Sequence, residues 1–215
     1  MKKFTLLNTL FIAVAFALGF AASHYRTDDQ AAPPPLKSQN QQEQVMKEDN
    51  PDTTPDLGAV FDAHVEHEFA DKDVDATMRT MTAEPYVHNV PTANGGYGGE
   101  GVRKYYTEQF VGKMPKDTQV IPVSRTVGKD QVVDELILSF THDIPIEFML
   151  PGVPPTGKFV QLPHVVVMKF EGDKVAHEHI YWDQASLLVQ VGLLDPELVP
   201  AAGASQAEKL IELIK

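Results

Sequence analysis

The sequence predicts an α+β domain whose helices gather on one face of a curved antiparallel sheet. Three observations carry this. Apolar residues recur at helical spacing in three segments before Val111. After Val111 the period changes to that of strands, and four strand-like runs follow. Turn signals such as Gly128-Lys129-Asp130 and Glu171-Gly172-Asp173 link them, and links that short require antiparallel pairing.

The first 23 residues stand outside the fold. Lys2 and Lys3 precede an uncharged apolar run from Phe4 to Ala22, the pattern of a secretory signal or of an inner-membrane anchor. Residues 24–54 read as a disordered tether. They hold Pro33-Pro34-Pro35 and five glutamines, with too little apolar surface to offset the entropy of ordering. A tether suits an anchor, so the expected location is periplasmic or otherwise extracytoplasmic, with the N-terminal segment in the inner membrane. The folded domain is expected over residues 55–195, followed by a C-terminal tail, 196–215, with a short helix.

Within the domain, Thr54-Pro55 offers a capping hydroxyl and a proline at the first helical position. Leu57, Val60, Phe61, Val65 and Phe69 continue at helical spacing. Asp73 is placed to cap a short second helix with Val74, Met78 and Met81 inward. Tyr86–Pro91 reads as a short strand, and Gly95–Gly101 as a glycine-rich turn. Val102, Tyr105, Tyr106, Gln109 and Phe110 form one apolar face of a third helix. The four later strands are expected over 118–127, 131–143, 159–171 and 174–183.

Composition limits the function. The formal charge of −12 becomes −14 once Lys2 and Lys3, the only charged residues among the first 23, are set aside. An acidic surface argues against nucleic acid and anionic lipid. The chain has no cysteine, which excludes disulfides, thiolate nucleophiles and Cys-ligated metals. Gly96-x-Gly98-x-x-Gly101 fits a dinucleotide-binding pattern, but antiparallel hairpins follow it where strand–helix–strand crossovers are required.

The chemistry is expected on the last strand. Strict alternation puts Val175, His177, His179, Tyr181 and Asp183 on one face and Ala176, Glu178, Ile180 and Trp182 on the other. The first row is too polar for a core and suits a cavity lining, with Ile180 and Trp182 left for packing or a dimer surface. Asp183 precedes a helical run, Gln184–Leu188, so it is either an N-cap or a general base raised by an apolar pocket. His177 and His179 find no third ligand at a metal-site spacing, so no metal is expected. His64 lies on the stripe of the first helix, one turn from Glu68, as a pocket lining or a satisfied buried histidine. His88, His142 and His164 on their strands, with Tyr86 and Tyr181, complete the expected ligand pocket. Pro145–Lys158 carries Phe148, Met149 and Leu150 and suits a pocket lid or a subunit contact.

Several of these segments together resemble a known group. Gly99–Tyr106, the Pro154–Lys158 loop with the strand after it, Glu171–Asp183 and Leu187–Leu194 are similar to the SnoaL-like polyketide cyclase group of the nuclear transport factor 2-like superfamily. The resemblance covers roughly residues 56–195. It implies a cone-shaped α+β barrel with a deep apolar pocket, in a homodimer paired through the sheet. It also implies a pocket aspartate near the end of the last strand, Asp183 here, acting as acid or base without metal or organic cofactor. The expected function is therefore a cofactor-free cyclase or isomerase acting on a small apolar carbonyl compound. The alternative is a non-catalytic, envelope-tethered ligand-binding or dimeric interaction module.

Overall fold

The computed structural model describes residues 54–215. The expected signal or anchor, and the expected tether apart from Thr54, lie outside the described residues. Among those described, no helix is long and apolar enough to cross a membrane.

Helix α1 spans Leu57–Glu66 and is capped by Asp56, whose carboxylate accepts from the Ala59 amide at 3.1 Å. The helix therefore starts two residues later than Thr54-Pro55 suggests, because the carboxylate is the side chain that reaches the free amide. α1 then widens into a π-helical turn over His67–Asp71. Asp73 caps α2 (Val74–Arg79) through the Ala76 amide at 2.9 Å, as expected. Strand β1 runs Met81–Asn89, five residues earlier than its pattern indicates.

The glycine-rich segment is not a simple turn. Asn94–Tyr97 forms strand β2, antiparallel to β1 with Val87 opposite Gly96. A Cβ on Gly96 would sit 2.5 Å from Val102 Cα, so the glycine lets β2 lie against helix α3 (Gly98–Tyr105). The motif serves close backbone approach. Gly96→Ala is expected to cost about 1–3 kcal/mol, read as a lower urea midpoint with unchanged slope. α3 also widens into a π-helical turn, over Tyr106–Phe110.

β3 (Gln119–Val127), β4 (Gln131–Thr141), β5 (Phe159–Glu171) and β6 (Lys174–Trp182) follow, joined antiparallel in sequence. The six-stranded order is β2-β1-β6-β5-β4-β3. β1 joins β6 in parallel, a pairing that no short turn predicts. The sheet does not close, since β2 and β3 remain edges. α4 (Gln184–Gln190) and α5 (Ser205–Leu213) complete the chain, with Ala207 of α5 buried.

One irregularity decides which face of β6 turns inward. Lys169 pairs with His177 but Phe170 pairs with Val175, so Ala176 is an extra residue, a β-bulge. Parity flips across it. Val175, Glu178 and Trp182 are buried, while Tyr181 is 41 % exposed. Expected strict alternation is thereby corrected: the row His177, His179, Tyr181 faces outward, and Glu178 and Ile180 face the helices.

The Pro145–Lys158 segment turns its large apolar residues into the core. Ile146, Phe148, Met149 and Leu150 are all buried, and Thr92 and the Gln184 amide donate to the Phe148 and Met149 carbonyls at 2.8 and 3.0 Å. These residues form one wall of the core.

Candidate functional site

A cavity of about 280 Å³ lies between the inner face of the sheet and the helices. Its walls are mainly apolar, with Phe61, Phe110, Leu138, Phe148, Met168 and Ile180 among them. An adjoining hollow of about 300 Å³ shares Val65, Glu68, Phe69, Phe110, Met114 and Val120 with it. Arg125 also lines the wall, held in a fork by Asp134 and bonded to Asp62 at 2.8 Å, with its guanidinium 4.6 Å above the Phe61 ring.

The polar heart of the site is a cluster of His64, Glu68, Tyr106 and Glu178. His64 and Glu68 are one turn apart, at the junction of α1 with its π-helical turn. Tyr106 opens the second π-helical turn, and Glu178 reaches in from β6 because of the Ala176 bulge. Wider helical turns of this kind recur at functional sites, where they re-aim side chains. His64 Nε2 lies 3.2 Å from Glu178 Oε1, 3.3 Å from Glu68 Oε1 and 3.2 Å from the Tyr106 oxygen. The Tyr106 hydroxyl donates to Glu178 Oε1 at 2.7 Å. All four side chains are buried.

The proton on His64 can be placed. Its Nδ1 is bonded to Thr80 Oγ1, whose own hydrogen goes to the Thr77 carbonyl at 2.6 Å. Thr80 must therefore accept, and Nδ1 keeps its hydrogen in both charge states. The titrating proton sits on Nε2, between the two carboxylates. Burial of the ring disfavours the cation, but Glu68 and Glu178 together outweigh it and raise the pKa to about 10. Burial raises the Glu68 carboxyl, His64 pulls it back, and Glu178 pushes it up again. Burial, then the two carboxylates, push the Tyr106 phenol well above its usual range, so it stays a donor.

His64, Glu68 and Glu178 also present ligand atoms within 4.8 Å of one another, close enough for one cation among the described residues. Binding there would displace the Nε2 proton, which neutralises the same two carboxylates.

Of the pocket residues expected from sequence, the structure brings two to this site. His164 lines the cavity, and His64 stands against its two lining carboxylates. Tyr86, His88 and Tyr181 lie on the other face of the sheet. There Tyr86 stacks on His177 at 4.6 Å and bonds His179 Nε2 at 3.0 Å, and His88 bonds the Tyr97 hydroxyl at 2.7 Å. His142 is buried under the Pro145–Lys158 segment beside Thr156, away from the cavity lining.

Asp183 does not reach the cavity. Its two carboxylate oxygens accept from the Ser186 amide at 3.1 Å and the Ser186 hydroxyl at 2.6 Å. It is the N-cap of α4, and it is absent from the cavity lining. Of the two roles the sequence allows it, the geometry supplies the cap. Glu68, Glu178 and Tyr106 are the site residues that the sequence reasoning missed.

A family model of the SnoaL-like domain matches residues 61–178, more than half of the chain. The chain belongs to the SnoaL-like family. The fold agrees with those of several solved structures. A Jannaschia sp. CCS1 protein classed as a SnoaL-like polyketide cyclase aligns with 64% of this chain and 94% of its own, at TM-score 0.51 and 19% identity. TsrD from Streptomyces laurentii aligns over 64% and 96%, at TM-score 0.51 and 17% identity. AclR from Streptomyces galilaeus, classed as a hydroxylase, aligns over 65% and 97%, at 0.50 and 21%. At these identities the likeness is one of fold. No curated protein matches the chain.

Proposed function

We propose that this SnoaL-like domain is a cofactor-free acid/base catalyst of cyclase or isomerase type, acting on a small apolar carbonyl compound in its cavity. The observation that supports this is the pair of buried carboxylates at one end of an apolar cavity, in unequal environments. Glu178 accepts two hydrogen bonds, from Tyr106 and from His64. Glu68 has a raised pKa and is paired with His64 Nε2 at 3.3 Å, without the second hydrogen bond that Glu178 receives. Two carboxyl groups held in different surroundings divide the work of proton transfer between a fixed charge and a titrating base.

Glu68 is the base in this reading. The C–H bond beside the substrate carbonyl breaks, its proton passes to Glu68, and its electron pair forms the enolate. The Tyr106 hydroxyl, which donates to Glu178, is the donor for which the enolate oxygen competes. Return of the proton to a different carbon, or attack of the enolate carbon on a second carbonyl, completes isomerisation or ring closure.

The test is α-hydrogen exchange of 2-tetralone in D₂O, followed by NMR. Wild type is expected to accelerate exchange over buffer, and Glu68→Gln to lose that acceleration. Equal rates in wild type and buffer would sink the reading.

An extracytoplasmic location and a homodimer belong to the same proposal. Exposed Tyr97 and Tyr181 on the outer sheet face support the second. Sedimentation showing a monomer at micromolar concentration would count against it.

A further inference from the structure

Two residues of the cavity lining each keep one buried polar atom with neither a hydrogen bond nor an ion pair, Asn89 Oδ1 and His164 Nε2, whereas Glu68 Oε1 is paired with His64 Nε2 at 3.3 Å. Their hydrogen-bonding sense can be assigned. His164 Nδ1 lies 3.0 Å from the Leu162 carbonyl oxygen, which can only accept. The ring proton is therefore on Nδ1, and Nε2 is a bare acceptor. The Asn89 amide nitrogen donates to the Tyr105 hydroxyl at 2.8 Å, leaving its carbonyl oxygen over. An apolar cavity thus carries two unfilled acceptors, and each such group, left buried and unpaired, costs about 1–3 kcal/mol.

Their spacing follows from strand register. On the inner face, Val87 lies opposite Glu178 and Glu178 opposite Met168. Two residues along, Asn89 lies opposite Ile180 and Ile180 opposite Val166. Two further, His164 lies opposite Trp182. Asn89 and His164 therefore fall in successive rows beyond the Glu178 end. His164 is four residues along β5 from Met168, roughly 13 Å at strand rise. The charges point the same way. Asp62 and Asp134 share one Arg125, and Glu68 and Glu178 share one His64, so the lining repels anions.

We infer that the ligand is an elongated apolar molecule bearing hydrogen-bond donors, hydroxyl or amino groups, at the end that reaches Asn89 and His164, and that carboxylates and phosphates are excluded. This rests on the proposed reading of the cavity as a ligand site, and it adds the ligand's polarity and the placement of its donors.

The experiment is calorimetric titration of the full domain with 2,6-dihydroxynaphthalene, its dimethyl ether, 6-amino-2-naphthol and naphthalene-2,6-dicarboxylate. The diol and the aminonaphthol are expected to bind at least about tenfold more tightly than the diether, the size of one or two hydrogen bonds. The dicarboxylate is expected not to bind. Tighter binding of the aminonaphthol than of the diol would identify the amine as the preferred donor. His164→Phe keeps a ring and removes the acceptor. It should weaken the diol about three- to tenfold and leave the diether unchanged, and Asn89→Leu serves the same purpose should His164→Phe fail to fold. A diether that binds as tightly as the diol overturns the donor inference and leaves the cavity a ligand site. So does a dicarboxylate that binds best. Absence of binding by all four probes overturns the inference, while the 2-tetralone exchange still judges catalysis separately.

Discussion

Replacing His64 by Leu is expected to destabilise the domain by about 3–5 kcal/mol at neutral pH, the usual cost of removing one partner from a buried charge set. The reason lies in what remains. Glu68 and Glu178 are buried, and His64 is the cation within bonding distance of both. Without it, two carboxylates face each other in a low-dielectric interior and at least one must take up a proton. The double variant His64→Leu/Glu68→Leu should recover much of the loss, because it removes one uncompensated charge together with its counter-charge. A double-mutant cycle in urea checks this. A single-variant loss under 1 kcal/mol would show that the cluster is not held by charge.

The same cluster sets a pH dependence whose sign can be worked out. The folded pKa of His64, about 10, lies above its ordinary value of 6.5. Its stabilising share is therefore complete below pH 6.5 and is lost as pH rises through 10. Glu68 is also raised from its ordinary 4.5, so its ionisation costs the folded state on the alkaline side as well. His64 predicts a urea midpoint that declines from pH 6.5 towards pH 10, and Glu68 adds a decline that begins above pH 4.5. The His64→Leu/Glu68→Leu variant should show a flatter profile over that window.

Much of the fold was legible because period and punctuation agree locally. The change from helical to alternating spacing after Val111, the capping aspartates at 73 and 183, and the turns at Gly128 and Gly172 each act within a few residues. The site was less legible because it depends on pairings distant in sequence. Alternation assigns His177, His179 and Tyr181 to the cavity, and the Ala176 bulge reverses that assignment. A bulge answers to the register between β5 and β6, which nothing within the last strand reveals. Glu68 did leave a signal, one turn from a histidine on an apolar stripe. Tyr106 hid in the same way as part of an apolar helix face, where its hydroxyl reads as incidental until Glu178 arrives from 72 residues away. Asp183 was visible in both of its possible roles. The choice between them turned on Ser186, whose amide and hydroxyl consume the carboxylate.

That choice leads to the other large effect. If the cavity carries out enolisation, Glu68→Gln should slow 2-tetralone exchange by about 10²–10⁴-fold, the range of a lost general base. Gln preserves the shape of the side chain and removes a carboxyl whose burial is costly, so the fold should survive and the loss should be one of rate. The wild-type rate should rise with pH on a limb displaced above 4.5, the ordinary value of a glutamate, because burial raises the base. Asp183→Asn provides the contrast. Asn is also a good N-cap, so the helix start is kept and exchange should stay within about twofold of wild type. Asp183→Ala should lower stability by about 0.5–2 kcal/mol, again with the rate retained in the folded fraction. A rate lost in Asp183→Asn and kept in Glu68→Gln would return the base to the end of the last strand. It would also mean that the Ser186 contacts open during turnover. The two variants separate these outcomes because each changes one carboxylate and keeps the size of its side chain.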